Sequence, residues 1–268
     1  MLWIKLAKLT WLELWQSRSY KMILLIALVA PAFAVVMGAL FMVDIGKVYM
    51  DAIAASAQLM MIAFLIFVVV VLLSKDIFER VCYILLTPPV RRTDYFAGRF
   101  VGFVFAFMML LLALFVSSLI VAVFYIGAKP EFYQSGFSWI TLAQMMFFYA
   151  FQYIAVLGLV FFIASWASGD AEMMLFVMAS LVFTWIFPPV LQALQSPDVM
   201  AETPAFIMPV LDAVYAMIPH LNGADIALQL AHGDALSLVQ MTMYVAEHSL
   251  YAVVCFMMGL MLFKRRDL

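Results

Sequence analysis

Charge is scarce in this chain: 11% of its 268 residues are Asp, Glu, Lys or Arg, whereas 68% are hydrophobic. Soluble domains carry about 25% charged residues, so a water-soluble fold is excluded and lipid must be the solvent for most of the chain. With a formal net charge of −2 there is neither the basic footprint of a nucleic-acid binder nor a field suited to acidic substrates. Cysteine is nearly absent as well. Cys82 falls in a polar connecting segment and Cys255 in the last hydrophobic run, spaced for neither metal nor disulfide, and both read as reduced bystanders. The start, MLWIKLAKLTWLELWQSRSYK, lacks the order of a cleavable signal, so insertion is expected to rely on the mature spans. No fixed-period repeat, low-complexity tract or soluble segment divides the chain, and 1–268 reads as one membrane domain.

Catalytic signatures are missing too. There is no G-x-x-x-x-G-K-[ST] loop to cradle a triphosphate, no H-E-x-x-H, and no shared ligand spacing among His220, His232 and His248. The chain is therefore read as no enzyme, with no cofactor of its own. The 22 Met are spread through nearly every apolar run as flexible filler.

What is present is a series of uncharged runs. A helix needs about 20 apolar residues to cross the hydrocarbon layer, and six runs meet that length: 22–43, 52–73, 100–126, 139–165, 173–194 and 243–263. With the N-terminus in the cytoplasm, the inner segments hold Lys5, Lys8, Arg18, Lys21, Lys75, Arg80, Arg91, Arg92, Arg99, Lys264, Arg265 and Arg266, and the outer ones only Lys47 and Lys129. The expectation is an all-α integral membrane protein with six transmembrane helices and both termini cytoplasmic.

Three further helical segments are expected. Trp3, Ile4, Ala7, Trp11 and Leu14 share one face of the N-terminal stretch opposite Lys5, Lys8, Glu13 and Gln16, with Trp15 nearby, which suits an interfacial helix on membrane lipid. After the second run, Ile77, Phe78, Val81, Ile84 and Leu85 face away from Lys75, Asp76, Glu79, Arg80 and Tyr83, and Pro88 and Pro89 end the pattern. Residues 195–242, on the outer side, contain AFIMPVLDAVYAMIP, too short and Pro-broken to span, which reads as partly helical; Asp234 is placed to cap the last helix. For the segment after the second run, two readings stand side by side: a knob coupling the spans to a soluble partner, and a plain surface helix.

The run ILLTPPVRRTDYFAGRF resembles a segment of type 2 ABC transporter permeases, through Glu79, Leu85, Leu86, Pro89, Val90, Arg92, Tyr95, Gly98 and Arg99. Arg18 before the first span, IPHLNGAD before the last and the terminal FKRRDL extend the similarity along the chain. The family often carries a Gly shortly after the acidic residue, where this chain has Arg80, Val81 and Cys82. The resemblance implies a permease subunit of the bacterial plasma (inner) membrane, working with a second permease copy in a homodimer or related heterodimer. It implies a cytoplasmic coupling helix that docks an ATP-binding subunit, where ATP and Mg are bound. Glu79, Arg91, Arg92 and Tyr95 become the docking candidates, and export of a hydrophobic or amphipathic substrate the expected activity.

Other features were open to more than one reading. Gly98 and Gly102 form a G-x-x-x-G, which we read as a chance spacing in preference to a dimer contact. Gln144, Gln152, Glu247 and His248 are candidates for a substrate path, with bundle packing and interfacial solvation as the plainer roles. Pro188 and Pro189 either kink the fifth span or end it. An ion-coupled carrier is disfavoured because no Asp, Glu, Lys or Arg interrupts the first five runs. A non-transporting membrane scaffold or assembly factor remains an alternative.

Overall fold

The computed structural model describes residues 2–41, 45–78, 91–128, 137–194, 209–210, 229–230 and 234–265. Among these the chain is helical, with no strand. The helices are α1 (Leu2–Gln16), α2 (Arg18–Phe41), α3 (Ile45–Phe64), a π-helical turn (Leu65–Val70) that continues directly into α4 (Val71–Phe78), α5 (Arg92–Ala128), α6 (Trp139–Trp166), α7 (Asp170–Leu194) and α8 (Leu238–Arg265).

Five stretches are long and apolar enough to cross a membrane: Arg18–Leu40, Gly46–Phe78, Arg92–Tyr125, Trp139–Trp166 and Leu238–Arg265. They overlap five of the six expected runs, and the remaining run, 173–194, lies within α7. The helices overshoot the apolar runs, because a helix can continue past the hydrocarbon wherever neighbouring helices satisfy its polar side chains. Residues 74–78 are thus the end of the second long helix and not the start of a separate one. The rest of the expected coupling segment, 79–90, and nearly all of the outer segment, 195–233, lie outside the described residues. α7 runs on through positions 188 and 189, so Pro188 and Pro189 do not end it.

Contacts fix the helix directions. Tyr20 donates to the Ala106 carbonyl (3.0 Å) and Ser117 to that of Ala27 (3.1 Å), so α2 and α5 run parallel. Tyr49 donates to the Ser118 carbonyl (2.8 Å) while Asp76 meets Arg99, so α3 to α4 runs against α5. α6 and α8 are parallel, with Phe148 stacked on Tyr244 at 4.2 Å and Gly158 against Ala252. α6 turns back into α7 through Ala167, Ser168 and Gly169, where the Glu172 carboxylate accepts from the Ser168 N–H at 2.8 Å.

α6 is the central helix, with 67% of its apolar window buried against 22% for α8. Phe107 and Tyr153 stack at 3.8 Å, and Phe64 lies 5.9 Å from both, so aromatic rings join α3, α5 and α6 at the core. The interhelical hydroxyl bonds add the packing that hydrophobicity cannot supply between helices surrounded by lipid tails.

One local expectation is corrected. α8 is capped by Ser237, not Asp234: the Gln240 N–H donates to Ser237 Oγ (3.3 Å) and the Ser237 N–H to Gln240 Oε1 (3.0 Å), a reciprocal capping box. Asp234 is exposed, three residues too early. On α1 the fully buried residues are Thr10 and Leu14, whereas Trp3, Ile4 and Trp15 are exposed and Trp11 half-buried against Tyr20 and Phe105. α1 meets α5 through Leu6, Ala7 and Thr10, set against Gly98 and Gly102.

Candidate functional site

One end of the bundle gathers Phe78, Arg92, Trp166, Asp170 and Arg265, and it holds the main concentration of described charge. At its centre is Arg99. Its Nε lies 2.7 Å from Asp76 Oδ2 and Nη2 donates to Oδ1 at 2.9 Å, a two-pronged pairing of guanidinium and carboxylate. Nη1 donates to Glu13 Oε2 at 2.6 Å and to Thr10 Oγ1 at 3.2 Å. Tyr95, one turn before Arg99, donates its hydroxyl to Asp76 Oδ2 at 2.5 Å, and its ring stacks on Phe263 of α8 at 6.0 Å.

A single guanidinium therefore joins α1, α4 and α5. The two carboxylates differ in setting: the Asp76 side chain is 3% exposed and that of Glu13 is 42% exposed. Removing one partner of the buried pair leaves a charge stranded, at a cost of about 3–5 kcal/mol. The Glu13 arm, open to solvent, contributes about 0–1 kcal/mol.

The approach of α1 depends on glycine. A Cβ on Gly98 would lie 2.6 Å from Leu6 Cβ and 2.9 Å from the Trp3 carbonyl oxygen, and one on Gly102 2.6 Å from Thr10 Cβ. The G-x-x-x-G spacing is thus used within the chain, to seat α1 on α5 beside Arg99, and is not a chance feature.

Among the docking candidates, Arg91 is exposed and Arg92, part-exposed, donates to the Lys264 carbonyl at 3.0 Å, capping the last turn of α8. Tyr95 is 2% exposed and faces inward to Asp76, so it braces the surface from behind. Glu79 lies outside the described residues. Lys5 and Lys8 are exposed on α1.

The four path candidates are not brought together. Gln144 holds the approach to α8, with Nε2 donating to the Leu236 carbonyl (3.1 Å) and Oε1 accepting from the Leu236 N–H (2.9 Å). His248 is buried between α6 and α8 with Nδ1 3.0 Å from the Tyr244 carbonyl, whereas its neighbour Glu247 is exposed. Gln152 alone lines a cavity of about 130 Å³, shared with Gln58, Met61, Ile66, Met178 and Thr184, between α3, α6 and α7 beside the π turn. Among the described residues no charged side chain lines it.

Sequence reasoning missed Arg99, Asp76, Glu13 and Thr10 as a unit. Arg99 reads in the sequence as one of the inner basic residues and part of the family-like segment, and Asp76 as one of the polar-face residues after the second run. The available signal was that Asp76 and Arg99 stand just beyond facing ends of consecutive apolar runs. No protein-family model matches this chain, and no curated protein matches it.

Proposed function

We propose that this chain is the membrane-spanning permease subunit of an ABC transporter, exporting a hydrophobic or amphipathic substrate with energy from a separate ATP-binding subunit. In this reading α7 completes six spans, two permease copies pair, and the charged end of the bundle faces the bacterial cytoplasm with both termini. The observation that carries it is the union, at that end, of the family-like segment with a built mechanical base. Phe78 ends α4 and Arg91 precedes α5, and Asp76, Tyr95 and Arg99 tie these two helix ends together.

Lys75, Arg91, Arg92, Arg99, Lys264 and Arg265 at this end, against Lys47 at the other, support its cytoplasmic placement. The uncharged cavity around Gln152 supports a neutral, apolar cargo.

The test is co-purification of the membrane-embedded chain with an ATP-binding subunit, followed by assay of ATPase stimulation. Charge reversal at Arg91 and Arg92 is expected to lower retention of that subunit at least tenfold. Transport that persists without any ATPase and collapses with an ionophore would instead establish an ion-coupled carrier.

A further inference from the structure

Hydrophobic residues make up 68% of this chain, so an apolar contact between α4 and α5 was the readily available alternative to a buried ion pair. Buried pairs are weak sources of stability, because desolvation offsets much of their attraction; what they do supply is a fixed geometry. Here the geometry is unusually complete. The fork of Arg99 fixes Asp76 in distance and in plane, Tyr95 fixes the same carboxylate from the side, and Thr10 and Glu13 extend the arrangement to α1. Gly98 and Gly102 let α1 lie directly against α5 beside this network.

We propose that Arg99 is a positioning residue for coupling: through Asp76, Thr10 and Glu13 it makes α1, the end of α4 and the start of α5 move as one rigid piece when a partner docks on the charged end of the bundle. This rests on the permease reading above. The N-terminal helix is then a working arm of the coupling apparatus and not only a membrane anchor. The buried Asp76 contact is the permanent part of the joint. The Glu13 contact, with that of Thr10, carries the joint on to α1.

The discriminating variant is the paired substitution Asp76→Leu with Arg99→Met, which removes both charges together and so avoids an orphaned one. In the purified complex with its ATP-binding subunit, the joint predicts unchanged retention of that subunit, a melting temperature within a few degrees of wild type, and loss of most permease-dependent ATPase stimulation. Arg99→Lys, which keeps the charge and loses the fork, is expected not to restore stimulation. Wild-type stimulation in the paired variant overturns the joint, and so does loss of subunit retention, which would mark the pair as a support of the docking surface alone.

Should the paired variant fail to fold, spin labels at Lys8 and Lys75 on the otherwise unmodified chain give the same answer. Their separation is expected to stay constant between nucleotide-free and ATP-trapped states, while the Lys75 to Glu172 separation changes. A changing Lys8 to Lys75 distance overturns the joint. Absence of any ATP-binding subunit from the wild-type preparation is a different result, and overturns the permease reading itself.

Discussion

Gly158 on α6 lies so close to Ala252 on α8 that a Cβ on it would come within 3.0 Å of the Ala252 carbonyl oxygen. Gly259, from the other side of the same interface, faces the backbone of Phe161 and Phe162 at 3.1–3.2 Å. Each helix thus yields a glycine to the other, and the two approach more closely than larger residues allow.

Gly158→Val and Gly259→Val are each expected to destabilise the bundle by about 1–3 kcal/mol, since the obstructing atoms are backbone and cannot rotate away. Thermal unfolding in a fixed detergent would show it. A melting temperature equal to wild type for both would remove the close-approach interpretation.

Gly98→Val should lift α1 from α5 while leaving the other helices in place. Thr10 is 1% exposed, so a cysteine at that position is expected to resist a water-soluble maleimide in the wild-type background and to react at least tenfold faster beside Gly98→Val. Equal labelling in both backgrounds would show that the seat tolerates a side chain.

Tyr95→Phe keeps the ring on Phe263 and deletes only the donor to Asp76. A hydrogen bond to a charged group contributes about 1.5–3 kcal/mol. Arg99→Met alone leaves Asp76 without its cation and should cost more, about 3–5 kcal/mol. The ordering of the two variants in chemical unfolding is the prediction, and its reversal would mean that Asp76 depends chiefly on the tyrosine.

Gln144→Leu removes both bonds to Leu236 and leaves that backbone without its side-chain partner. Hydrogen exchange at the Leu236 amide should accelerate by roughly tenfold or more, equivalent to at least about 1.4 kcal/mol of lost protection. Exchange in α5 is expected to stay unchanged.

Sequence patterning captured the long apolar helices because each run exceeds the length that hydrocarbon demands, and Trp139–Trp166 agrees with its expected run to within a residue. It could not capture where helices stop. Asp76 and Arg99 look like the polar limits of two spans when each is read along its own run, yet each lies inside a continuing helix because the other neutralises it. The seat of α1 was hidden for a related reason: it turns on Thr10, a buried polar residue that hydropathy assigns to the outside, and on Gly98 and Gly102, which carry no side chain to read. Gln144 and His248 were visible as unusual, but a linear pattern cannot tell a backbone clamp or a ring wedged between two helices from a lining residue.

The π turn at Leu65–Val70 bears on how these parts are timed against one another. Such a turn holds a residue more than the α-helical path requires, so everything after it is rotated relative to everything before. Phe64, ahead of it, points into the aromatic core, and Asp76, behind it, points at Arg99. Winding the same residues at a uniform α pitch would swing Asp76 by about 100° around the axis, whereas deleting one valine from 68–70 would absorb the π turn and keep Asp76 in phase. The inserted residue is therefore a phase setting: it allows a single helix to meet the core at one end and the ion pair at the other.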